Sequence, residues 1–91
     1  MNPEQQAILA RDFMGMVRAY QNDAAVLEYL EGFAFSLARG LQGVAVVDWD
    51  ALASICDQRY YSLRQNEPIP LNTALLQQCE QQIQDYLPKT A

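Results

Sequence analysis

Apolar residues recur at three- and four-residue steps along most of this chain, the period of an amphipathic helix. Leu9, Phe13, Met16, Val17 and Tyr20 form the first such stripe. Ahead of it, Asn2, Pro3 and Glu4 read as an N-cap, a first-turn proline and an acid suited to a helix N-terminus. The pattern predicts a helix over 3–21. Gly15 inside it costs up to ~1 kcal/mol against alanine, or lets another backbone come close. Asn22 and Asp23 restart the pattern as turn and cap, and a second helix is predicted over 23–41. Its Val26, Leu27, Leu30, Phe33, Ala34, Leu37, Ala38 and Leu41 cover a face broad enough for the central helix of a bundle. Gly40 or Gly43 supplies the stop.

Val44 to Val47 is the only β-prone run, too short and isolated for a sheet. It predicts an extended connector near 43–47, tucked down by its valines. Asp48 then caps a third helix over 48–65, with Asp50 in its first turn. Val47 and Leu52 match a hydrophobic staple across that cap. This helix should bury Trp49, Leu52, Ile55, Cys56 and Leu63. The stretch NEPIP, with two prolines in five residues, breaks the chain at 66–70. Leu71, Asn72 and Leu76 repeat the staple and cap for a fourth helix over 72–87. Its narrow stripe is Leu76, Cys79, Ile83, Tyr86 and Leu87, and its other faces are largely glutamine. The last four residues should fray. The expected fold is a single all-α domain over 1–91, a small four-helix bundle, up-and-down or irregular.

Composition narrows the function. Hydrophobic residues make up 51% and charged residues 19% of 91 residues, a well-ordered composition with few charges. A chain so small and apolar is expected to share an interface, as a homodimer or with a partner. Its net charge is −5, and its six Lys and Arg residues are scattered, so no basic patch for phosphates is expected. A basic protein surface suits the charge better. The N-terminus lacks the basic start and apolar run of a signal peptide. No apolar stretch approaches the ~18 residues of a membrane span. Two cysteines, Cys56 and Cys79, are too few for a secreted disulfide framework and sit on core stripes. The expectation is a cytoplasmic protein with free, buried thiols.

Candidate chemistry is sparse. There is no histidine, which removes Ser-His-Asp and Cys-His catalysis and the commonest transition-metal ligand. Two lone cysteines cannot complete a four-ligand zinc site. Asp48 and Asp50 of DWD read as a cap and a helix-dipole complement rather than a metal motif. Glu28 and Glu31 share a helix face but have no matching acids on another helix. The RGLQG stretch lacks the Lys-Ser/Thr ending of a phosphate loop. No cofactor, no metal and no enzymatic activity are expected. The order of long helix, break, DWDAL, helix and further helix is loosely similar to small helical flagellar export chaperones. That resemblance covers residues 48–63, carries no residue roles, and implies a secretion-type chaperone as one reading.

Six residues stand out as candidates for a protein interface. In DQRYYSL, adjacent helical residues point about 100° apart, so the two tyrosines cannot share a role. On a wheel centred on Leu52, Tyr60 falls at the edge of the buried face, with its hydroxyl free to reach water or a polar partner. Tyr61 falls almost opposite. Arg59 lies near the centre of the apolar face, either as a stem that covers it or as a contact anchor. Phe35 lies off the broad face of the second helix, and Met14 and Ile8 lie off the stripe of the first. The expected function is a small non-catalytic protein-binding module, an adaptor, inhibitor or chaperone of another protein. The alternatives are a nucleic-acid-associated transcriptional regulator that uses the third helix, and then an enzyme.

Overall fold

The computed structural model describes residues 1–66 and 69–89. The described residues form four helices and a final 3₁₀ turn: α1 (Pro3–Ala19), α2 (Ala24–Gly40), α3 (Trp49–Arg64), α4 (Thr73–Ile83) and η1 (Gln84–Tyr86). Each helix begins where a short polar side chain can satisfy the free N–H groups of its first turn. The side chains of Asn2, Asp23, Asp48 and Asn72 accept from the amides of Gln5, Val26, Ala51 and Leu75. At α1 the Gln5 side chain also accepts from the Asn2 amide at 3.0 Å, which completes a capping box. The four residues of the two expected staples, Val47, Leu52, Leu71 and Leu76, are all buried in the core cluster.

The stops have equally local causes. Gly43 takes φ +85°, a left-handed conformation that favours glycine, and turns the chain after α2. Asn66, the first residue of NEPIP, also has positive φ, two residues beyond the end of α3. The rest of that predicted break lies partly outside the described residues. The fourth helix was expected to reach 87, but regular α-helix ends at Ile83 and tightens into η1. Leu87 is extended, as the ring of Pro88 requires of the residue before it. The expected fraying of the tail falls partly on residues that are not described.

The helices contact one another in chain order, and α4 with η1 closes back onto α1. By far the closest pairing is α2 with α3, an antiparallel hairpin across the 41–48 connector. Buried Ala34 and Ala53 let these two backbones approach. The molecule measures 42 × 29 × 17 Å over its Cα atoms, a slab two helices thick. Phe13 and Trp49 form its centre, their rings edge-to-face at 6.0 Å. Leu27, Leu30, Leu52, Ile55, Cys56, Leu76, Cys79 and Ile83 pack around them.

Three polar side chains tie the connections to this core. Gln6 is fully buried on α1. Its amide nitrogen donates to the carbonyls of Met1 and Val44, and its oxygen accepts from the Val46 amide at 2.9 Å. The connector is therefore held by Gln6 as well as by Val47, while Val44 stays exposed. Arg59 does the same at the other end of the slab. Its Nε donates to the Gln21 carbonyl at 2.8 Å, and its two terminal nitrogens donate to Ile69 O and Asn22 Oδ1. Ser62 adds an exchange with the Ile69 backbone, donating to its carbonyl and accepting from its amide.

Candidate functional site

α1 and α2 touch far less closely than α2 and α3, and a cleft opens between them. It holds about 230 Å³ and is lined by Leu9, Asp12, Phe13, Met16, Tyr29, Leu30 and Phe33. Its floor is core: Phe13 and Leu30 are buried. Its rim is apolar yet open, with Met16 43%, Phe33 36% and Tyr29 70% exposed. Phe33 is fixed by stacking on Phe13, ring centroids 6.2 Å apart and nearly parallel. Rigid aromatic walls over a hydrophobic floor suit apolar side chains from outside. Asp12 sits at one edge, near Arg11 at 3.7 Å, and Glu28 flanks Tyr29 on the outer side of α2.

The six residues singled out in the sequence do not come together. Tyr61 is exposed, with its ring edge-to-face against Tyr60 at 5.6 Å. Tyr60 is half-buried at the core edge. Its hydroxyl donates to Glu28, which raises the phenol above its ordinary pKa. Phe35 is exposed beneath the Arg39 guanidinium, 4.9 Å from the ring centroid. It borders a groove with Glu31, Asp50, Ser54 and Asp57, near the start of α3, whereas Tyr61 lies near its end. In that groove burial, then the Asp57 and Glu28 carboxylates, push Glu31 up from its ordinary pKa. Ile8 is half-buried and lies outside the core cluster.

Two of the six need correction. Met14 is 2% exposed and belongs to the core. The sequence reading gave α1 one buried stripe, but α4 and η1 cover a second side of it, where Met14 lies near Ile83 and Leu87. Arg18 and Glu80 form an ion pair across that same contact. Arg59 is neither a snorkelling stem nor a free anchor, because three of its nitrogens are spent on Gln21, Asn22 and Ile69. Conversely, Met16, Tyr29 and Phe33 were overlooked as surface. The breadth of the α2 face was the available signal: one neighbouring helix cannot cover both of its sides.

Among the described residues no group of three or more His, Cys, Asp or Glu is placed to hold a metal ion, and no helix is long and apolar enough to cross a membrane. Cys56 and Cys79 are buried free thiols. Burial, with Glu31 and Asp57 adding, pushes the Cys56 thiol up to about 12; burial, with Asp48 and Glu80, raises Cys79. Since the thiolate is the reactive form, alkylation of native protein at neutral pH is expected to be slow at both sites and fast in denaturant. Rapid native labelling of either would show that its helix opens readily. Comparison with known proteins finds no matching family model, no matching curated protein and no matching solved structure.

Proposed function

We propose that the chain is a small non-catalytic protein-binding module, an adaptor, inhibitor or chaperone of another protein, and that the α1–α2 cleft receives a basic amphipathic helix of that partner. The cleft is the observation that carries this reading. It offers open aromatic and aliphatic walls continuous with the core, the geometry of helix-in-groove recognition, where apolar anchors one turn apart enter a hydrophobic trough. The charge of the partner follows from complementarity. The chain is acidic, with net charge −5, and Asp12 lines the trough. The buried thiols fit a reducing, cytoplasmic setting.

The test is affinity capture from the native cell with the wild-type chain and with Met16→Lys. Met16 is exposed at the cleft rim, so a lysine there leaves the fold intact and repels a basic helix. One dominant partner is expected with wild type, at least about tenfold depleted with the variant. Equal capture by both chains would refute the cleft as the site. Retention on heparin with steep salt dependence would favour the nucleic-acid reading instead.

A further inference from the structure

α2 has a third face, away from both α3 and the core. Ala25, Glu28, Tyr29, Gly32, Phe33 and Ser36 line a shallow outer groove there, and Tyr29 is the most exposed large apolar side chain among the described residues. We propose that this face is the contact between two copies of the chain, packed antiparallel about a two-fold axis that passes beside Phe33. This goes beyond the partner reading and needs no occupant of the cleft.

Charge is the first argument. Glu28 and Arg39 are both exposed, and eleven residues apart they fall within about 20° of one another on the helix. They therefore share one flank of the outer groove, about 16 Å apart along the axis. In a two-fold antiparallel pair each flank meets the same flank of the other copy. With the axis midway between them, Glu28 of one copy is level with Arg39 of the second, and the reverse. Two ion pairs arise from a single symmetric arrangement, and the contact is locally neutral although the chain is acidic. Arg39 is already oriented from within by the Phe35 ring.

Shape is the second argument. The same axis sets Tyr29 opposite the gap between Ser36 and Gly40 of the second copy. A projecting ring and two small residues opposite it, Ser36 and the open Gly40, lie on one face, as the self-complementarity of an isologous interface requires. Gly32 agrees with this. It is helical, and a Cβ built on it meets nothing within 4 Å, so no contact inside the chain calls for glycine. A helical glycine costs ~1 kcal/mol against alanine. Close approach of a second backbone gives it a reason. A face one helix long is smaller than the roughly 800 Å² per partner of a standard interface, so the dimer should dissociate in the micromolar range.

Sedimentation equilibrium of the full chain through the micromolar range tests this. The mass should rise from 10.3 kDa towards twice that value. Gly32→Leu should weaken association at least about tenfold while leaving the melting temperature unchanged or higher. Glu28→Arg and Arg39→Glu should each weaken it, and the double reversal should restore it, with helicity by circular dichroism intact in all three. A wild-type chain that stays monomeric throughout overturns the proposal. So does a dimer indifferent to Gly32→Leu, or one that the double reversal fails to restore. Met16→Lys, on α1, should leave self-association unchanged, so failure of the dimer and failure of the partner reading are read separately.

Discussion

Replacing Arg59 with methionine is expected to lower the melting temperature by about 10–20 °C. The side chain joins three segments distant in sequence: α3, the turn between α1 and α2, and the strand of chain that leads into α4. A hydrogen bond to a charged group contributes roughly 1.5–3 kcal/mol when buried, and less where solvent reaches it. The bond to Gln21 O is part-buried, while those to Ile69 and Asn22 are exposed, so the sum is about 2–3 kcal/mol. In a domain of this size each kcal/mol shifts the midpoint by roughly 4–8 °C. Methionine matches the stem but takes the donor from Gln21 O and Asn22 Oδ1, while Ile69 O keeps only the Ser62 hydroxyl. Lysine keeps the charge but not the planar fork, so it should recover little of the loss. Thermal melts of both variants by circular dichroism check this. A methionine variant that melts within a few degrees of wild type would mean that the stem's packing, not the guanidinium, is what α3 needs.

The sequence showed Arg59 as an anomaly before the structure explained it, since a guanidinium at the centre of an apolar helix face needs a destination. Its acceptors lie 37 and 38 residues earlier and 10 later, and nothing local points to them. Caps and staples were legible for the opposite reason. Asn2, Asp23, Asp48 and Asn72 act within three residues of themselves, so their chemistry is visible in the string. Helix existence followed from periodicity, which is also local. Which side of a helix is covered is not local. Met14 and Met16 sit two positions apart on α1, and only the placement of α4 and η1 makes the first core and the second surface. The cleft was hidden for that reason: Phe33 and Leu30 read as one continuous apolar face. Only the close pairing of α2 with α3, and the looser approach of α1, leaves Phe33 open.

Gln6→Leu should destabilise the chain by about 2–3 kcal/mol, although it places an apolar residue of similar size in a fully buried position. Gln6 stands three residues before Leu9 and seven before Phe13, in register with the apolar stripe of α1, so leucine would look harmless there. The structure gives the amide three tasks: it donates to Met1 O and Val44 O and accepts from Val46 N–H. Leucine leaves the part-buried Val46 amide without its acceptor, and an unsatisfied buried group costs roughly 1–3 kcal/mol. The connector then loses its polar hold on α1, which lies directly before the staple that starts α3. Hydrogen exchange should therefore accelerate at Val46 more than in the α2–α3 hairpin. Gln6→Glu separates the polar role from the volume. A carboxylate still accepts from Val46, but it faces two carbonyl oxygens and is buried, so its pKa should rise on folding. The folded state then binds more protons than the unfolded state across the carboxylate range, and stability should fall as pH rises through that range, relative to wild type. Its melting temperature should approach that of wild type in acid and drop towards neutrality. A leucine variant as stable as wild type, with unchanged exchange at Val46, would show that the valines alone hold the connector down.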